Sequence, residues 1–313
     1  DKLVTGVQTC ALPILIVFSP TRKAAGTTAG FVAGAMVIGG NLMIEKAVEG
    51  SALIPSLPLI LSGQLLWFRY GFLKGDWNSA WTILGIFAAF AFYLTGAMAL
   101  WFMILPLLFM RRPLSIRDKI KRKGVLLGLA ALLIAGAVWA TPYWLMPPMK
   151  SCWLFDFDDW GNYWWHLLTF PIDTAFRLLP WSVLAWAPFC VAFQWVAPTP
   201  IFGRFLRTIV ITLFFFLWLN PATEPRDQLV LVGPLAILTG INYALTVRRY
   251  GKTLSMLMRW LTPFLLVAGA GIIAFFWLPP VSEWAKKFNW ERNLRYADRS
   301  EERRVGKECR SRW

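Results

Sequence analysis

The sequence predicts an all-α protein that crosses a membrane many times. Of its 313 residues 57% are hydrophobic and only 16% charged, a balance too apolar for a chain surrounded by water on every side. Its 19 tryptophans gather near the ends of apolar runs, as at Trp67, Trp77, Trp144, Trp160, Trp164, Trp165 and Trp181. At that depth an indole finds hydrocarbon for its ring and water for its N–H. Between the runs, loops rich in Lys and Arg alternate with loops nearly free of them, the pattern of a chain that keeps its cations on the cytoplasmic face.

A helix needs about 20 residues to cross about 30 Å of hydrocarbon. Apolar stretches that serve run from Ala25 to Ile44, Ala52 to Phe68, Val125 to Leu145, Leu179 to Val196, Arg207 to Leu219, Leu229 to Val247 and Leu261 to Leu278. Ser79 to Met110 is too long for one crossing and divides at Thr95–Gly96, since glycine breaks a helix cheaply. Leu15 to Ser19 reads as the remnant of an earlier span. The expectation is a bundle of about nine transmembrane helices. One set of loops then holds Arg22, Lys23, Arg69, Lys74, the basic run from Arg111 to Lys123, Arg204, Arg207, Arg248, Arg249, Lys252 and Arg259. The other set, as far as Pro280, holds only Lys46, Lys150, Arg177 and Arg226. Topology thus explains the net charge of +15, and nucleic acid is not an expected partner, because basic patches that grip phosphate belong to water-solvated structure. Within the basic run, RRPLSIRDKIKRKG (Arg111 to Gly124) is either an interfacial helix on anionic lipid or a plain topology determinant.

Both ends read as foreign to the rest. VTGVQTCALPI (Val4 to Ile14) and RSEERRVGKECRSRW (Arg299 to Trp313) break the neighbouring pattern, and each back-translates into a short-read sequencing adapter. The expectation is a native transmembrane domain of residues 15–298, cut from a longer chain, between adapter-derived residues 1–14 and 299–313; such segments are set aside before fold reasoning. That leaves Cys152 and Cys190, too few for a disulfide framework.

Acidic residues avoid the centres of the expected spans, which counts against an ion-coupled path through the bilayer. They gather in the outer loops: Asp156, Asp158, Asp159 and Asp173 in the long loop Pro147 to Leu178, and Glu224 and Asp227 farther on. FDFDD is a candidate for a divalent cation, which favours several carboxylate oxygens, or else a solvated acidic turn, since EF-hand spacing is absent. His166, the lone histidine, reads as a proton shuttle or as a packed interfacial side chain. Arg226 is placed to hold a lipid phosphate through two parallel hydrogen bonds, or to pair with Glu224 or Asp227. Lys150 and Arg177 are the other cations of that face.

Three segments resemble the membrane glycosyltransferases of the protein O-mannosyltransferase and aminoarabinose lipid A transferase superfamily. GNYWWHLLTFPIDTAFRLLPWSVL (Gly161 to Leu184) resembles its aromatic segment ending in Leu-Pro-Trp, matched by Leu179, Pro180 and Trp181. PRDQLVLVGPLAIL (Pro225 to Leu238) is similar to its Pro-Arg-Tyr-Leu-Leu-Pro segment, with Arg226 and Pro234 matching. LTGAMALWFMILPLLFMRRP resembles its Lys-Gly-Pro hairpin. Thr95 stands where the family has Lys, Asp227 where it has Tyr, and Val230 where it commonly has Pro. The resemblance implies a GT-C fold in a bacterial cytoplasmic membrane. It also implies transfer of a sugar from a polyprenyl phosphate donor to a protein, lipid or glycan acceptor on the outer side. Arg226 is the first candidate to hold the donor phosphate, with Lys150 and Arg177 as further candidates; His166, Asp156, Asp158 and Asp159 are candidates of the outer loop. The family's catalytic Asp lies in a first outer loop, which the resemblance places before Leu15. The alternative reading is a polytopic transporter or lipid flippase.

On this reading the polypeptide alone does not turn over; sugar transfer by it from a polyprenyl donor in a vesicle assay is the result that contradicts it. Resequencing the source DNA tests the adapter reading, which fails if genomic sequence runs unbroken through Ile14 and Arg299.

Overall fold

The computed structural model describes residues 2–49, 53–110, 120–144, 160–179, 181–190, 199–220 and 223–277. The chain divides into two units, Asp1–Met146 with Cys152–Thr246, and Pro147–Ser151 with Val247–Trp313. The helices are α1 (Lys2–Ala25), α2 (Thr27–Ile38), α3 (Asn41–Glu49), α4 (Leu53–Phe68), α5 (Trp77–Thr95), α6 (Ala97–Leu108), α7 (Lys123–Trp144), α8 (Trp160–Arg177), α9 (Pro200–Leu219) and α10 (Leu229–Trp277). Among the described residues three helical segments are long and apolar enough to cross a membrane, or four if α2 and α3 count as one broken span.

The division expected at Gly96 is present. Its φ of 75° lies in the left-handed region that glycine enters without steric cost, and it ends α5 and starts α6. At 19 residues α5 is about 28 Å long, close to the hydrocarbon thickness. Four expectations are corrected. The span Ala25 to Ile44 is two helices bent by 53°, broken at the pair Gly39–Gly40, a common cause of a kink. The loop Pro147 to Leu178 contains the 18-residue helix α8. Over the described residues 181–190 the expected span Leu179 to Val196 is not a continuous helix: it holds one turn at Ser182–Ala185 and a 3₁₀ turn at Ala187–Phe189, which contains Pro188. Leu229 to Val247 and the described part of the expected span Leu261 to Leu278, as far as Trp277, belong to one helix, α10. The basic stretch between them contains no proline, and its Arg, Lys, Leu and Met residues favour helix.

Prolines inside helices create a debt that the packing has to meet. A proline at position i lacks the N–H that would bond the carbonyl at i−4, and no water in hydrocarbon can replace it. Pro106 in α6 frees the carbonyl of Phe102, and buried Gln64 of α4 donates its Nε2 to that oxygen at 2.8 Å. Pro171 in α8 frees the carbonyl of Leu167, and Trp218 of α9 donates its indole N–H to it at 2.7 Å. Other buried polar side chains close onto their own helix: Thr21 onto the Val17 carbonyl, Asn242 onto Leu238, and Thr246 onto Asn242.

Packing fixes the directions of the helices. Gly124 abuts the backbone of Asn78, and Gly128 abuts Trp81 and Gly85, so α5 and α7 run side by side in the same direction. A Cβ on Gly85 would stand 2.2 Å from Gly128 Cα, closer than any side chain permits. Asp76 caps α5 by accepting from the Ser79 N–H at 3.1 Å, and the Ser79 hydroxyl and amide hold its carboxyl below the usual range. Phe68 stacks on Phe205 at 4.6 Å and Trp67 meets the edge of Trp77 at 5.4 Å. Arg69, Lys74, Lys123, Arg204 and Arg207 therefore share one end of the bundle, as the loop charges predict.

Gln64→Leu is expected to lower stability in detergent by about 1–3 kcal/mol by stranding the Phe102 carbonyl. Adding Pro106→Ala, which restores the missing N–H, should recover most of the loss; equal unfolding midpoints for the single and double variants would contradict this account. Gly85→Leu should separate α5 from α7 and lower the midpoint further, by about 3 kcal/mol or more.

Candidate functional site

The end of the bundle away from Arg69 and Arg204 holds a set of charges drawn from three elements. Arg177, in the last turn of α8, donates its Nε–H to both oxygens of Asp173 at 2.9 and 2.8 Å, the i,i+4 spacing that brings side chains together on a helix. Its Nη1 lies 3.7 Å from Glu45 Oε2 of α3. Glu45 also faces Lys46 Nζ at 3.2 Å, and Lys46 is only 5% exposed. Asp173 Oδ2 accepts from Gln228 Nε2 at 3.2 Å. Gln228 closes the 3₁₀ turn Pro225–Gln228 that leads into α10.

That turn is locked from within. Glu224 and Asp227 form a capping box, the Glu224 N–H donating to Asp227 Oδ2 at 2.9 Å, so two otherwise orphaned groups satisfy each other. Buried Asp227 is therefore a structural acceptor. Arg226 points the other way: its Nε lies 2.8 Å from Glu224 Oε2 while the side chain stays 54% exposed. Half of that side chain thus faces solvent, where a guanidinium can meet an anion.

The structure thus brings Arg177 into a network with Glu45, Asp173 and Gln228, and places Arg226 beside Glu224 on the adjoining turn. His166 packs on Phe170 with ring centroids 5.2 Å apart; its Nε2 is buried and has no hydrogen-bond partner among the described residues, the geometry of a packing side chain. Lys150, Asp156, Asp158 and Asp159 lie outside the described residues, and so does most of the run from Arg111. Among the described residues no group of three His, Cys, Asp or Glu side chains converges as metal ligands do. Sequence reasoning missed Glu45 and Gln228. The signal for Glu45 was a Glu-Lys pair inside the apolar NLMIEKAVE; Gln228 gave none, because only the fold brings it to Asp173.

No protein-family model matches the chain, and no curated protein does. The solved structures decide the fold. The crystal structure of ArnT from Cupriavidus metallidurans bound to undecaprenyl phosphate superposes with a TM-score of 0.62 at 14% identity, covering 87% of this chain. The chain shares its fold with ArnT. The apo state of ArnT gives a TM-score of 0.61 at 15% identity. The chain spans about half the length of these ArnT structures. An ArnT-like, GT-C-like all-helical membrane fold is what the three sequence segments implied.

The ion pair that closes α8 is partly exposed, 25% for Arg177 and 42% for Asp173. A double-mutant cycle of Arg177→Met with Asp173→Asn is therefore expected to give a coupling of about 0.5–1 kcal/mol. Strict additivity in unfolding experiments would show that the pair contributes nothing.

Proposed function

We propose that the chain forms the bundle and outer charged site of a membrane glycosyltransferase that uses a polyprenyl phosphate sugar on the extracytoplasmic side of a bacterial cytoplasmic membrane. The observation that carries this reading is the ArnT-like fold, shared with a structure that holds undecaprenyl phosphate. The site described above adds chemical support, because it sets cations at the end of the spans, near the depth of a lipid phosphate. In such a transfer an acceptor oxygen attacks the anomeric carbon, the bond from that carbon to the phosphate oxygen breaks, and negative charge grows on the departing lipid phosphate. Donors already in position stabilise that charge as it develops. A base removes the proton of the acceptor hydroxyl.

Two arginines share the work unequally. Arg177 is neutralised by Asp173 and Glu45, so its part is to fix the position of α8. Arg226 pairs with one carboxylate, Glu224, and stays 54% exposed, so its guanidinium can bind phosphate oxygens in parallel. Arg226 is the phosphate anchor on this reading, with Lys150 as a further cation. The sugar class, hexose or pentose, and the acceptor follow from neither residue.

Binding tests this without requiring turnover. In nanodiscs, undecaprenyl phosphate should bind more tightly than undecaprenol, and Arg226→Ala should weaken the phosphate lipid about 10–100-fold while leaving the alcohol unchanged. Arg226→Lys should restore part of the loss, since a point charge replaces the fork. Equal affinity of wild type and Arg226→Ala for undecaprenyl phosphate would remove Arg226 from this role.

A further inference from the structure

We infer that the basic end of the bundle is a docking surface for the phosphate headgroups of anionic phospholipids, built by three connections that the fold gathers beside the start of α5. The first is the π-helical turn Arg69–Leu73 that closes α4. There the Lys74 N–H donates to the Arg69 carbonyl at 3.2 Å and the Asp76 N–H to the Tyr70 carbonyl at 2.9 Å, so the chain passes directly into α5 with Arg69 and Lys74 at the turn. Lys74 Nζ lies 4.6 Å from the centre of the Tyr70 ring. The second connection enters α7, where the Gly124 N–H donates to Asn78 Oδ1 at 3.4 Å and brings Lys121, Arg122 and Lys123 to the first turn of α5. The third is the first turn of α9. Phe68 stacks on Phe205 at 4.6 Å and meets Phe202 at 5.4 Å, which brings Arg204 to the same end as Arg69.

All of these cations are exposed. The acidic side chain described beside them, Asp76, is already engaged by the amide and hydroxyl of Ser79. Like charges gathered this way repel one another, and an anion at the same level relieves the repulsion. At the end of helices long and apolar enough to cross, as α5 and α9 are, the anions at hand are lipid phosphates, which attract each Lys or Arg near the membrane surface. Apolar neighbours select lipid over a soluble polyanion. Leu73 is 71% exposed beside Lys74, Ile201 is 60% exposed one turn before Arg204, and Ile120 is 45% exposed beside Lys121. A nucleic acid or an acidic protein loop would leave these side chains in water. A phospholipid gives its phosphate to the cation and its acyl chain to the apolar neighbour, the pairing that interfacial segments use. This surface does not depend on the transferase reading; it requires only the bundle's membrane insertion.

Spin-labelled lipids test this. The full chain would be reconstituted in phosphatidylcholine vesicles, and the fraction of nitroxide-labelled phosphatidylglycerol immobilised at the protein compared with that of labelled phosphatidylcholine. Phosphatidylglycerol should be preferred about 3–10-fold at low salt, falling below about 2-fold in about 1 M salt, where charges are screened within a few ångströms. The triple variant Arg69→Gln, Lys74→Gln, Arg204→Gln should lower the preference about 2-fold or more, and so should the separate triple variant Lys121→Gln, Arg122→Gln, Lys123→Gln. Arg69→Lys with Arg204→Lys keeps the charge and should keep the preference. Unfolding midpoints in phosphatidylcholine alone show which variants are folded, and the two independent sets leave a valid comparison if one is not. Absence of any preference in the wild type overturns the proposal. Equal preference in the wild type and the folded neutralised variants also overturns it, by placing the lipid elsewhere on the chain. Release of labelled phosphatidylglycerol by inorganic polyphosphate, at constant ionic strength and on both sides of the membrane, would assign the surface to a soluble polyanion and overturn it as well.

Discussion

In hydrocarbon a backbone carbonyl without a donor cannot turn to water, and this constraint governs how the bundle is joined. Pro106 and Pro171 each open such a gap, and each gap is closed from a neighbouring helix, by Gln64 and by Trp218. The two bonds do more than repair. Gln64 ties α4 to α6 across the break at Gly96, and Trp218 ties α8 to α9, so polar contacts set register where apolar packing alone would tolerate sliding. Elsewhere glycine achieves a similar result by absence of bulk, as where Gly85 and Gly128 let α5 and α7 approach backbone to backbone.

The same solvent sorts the charges. Arginines and lysines of the connecting turns collect at one end, where Asp76 and the aromatic cluster of Trp67, Trp77 and Phe205 finish the spans. The other end collects Glu45, Lys46, Asp173, Arg177, Glu224, Arg226 and Asp227. There the carboxylates and cations are mostly satisfied by one another, and Arg226 is more exposed than Arg177. A site built this way has its rigid part in the ion pairs and its reactive part in the more exposed residue.

Much of this was legible in the sequence, for physical reasons that differ by residue. Gly96 was readable because an apolar run of that length has to turn, and glycine is where a turn costs least. The charge bias separated the two ends because Lys and Arg are kept out of the spans and gather in alternate turns. The helix α8 was hidden: Asn162, His166, Pro171 and Asp173 interrupt an apolar count, although Trp165, Leu168, Ile172 and Phe176 carry the helical period. Between Val247 and Arg259 the error ran the other way, since basic residues mark a loop by composition yet are good helix formers. The pairings of Gln228 with Asp173 and of Glu45 with Arg177 join residues far apart in sequence, and no local pattern announces them.

The order in which a ribosome delivers these segments gives the Glu45–Lys46 contact a further meaning. Arg177 emerges roughly 130 residues after Glu45, which at about 5–20 residues per second leaves α3 without that partner for some 7–26 s. Until then the cation that α3 itself can set against Glu45 is the adjacent Lys46, 3.2 Å away in the folded chain. What is one strand of a larger ionic web in the finished protein is thus, during membrane insertion, the only counter-ion that α3 carries within its own sequence beside Glu45.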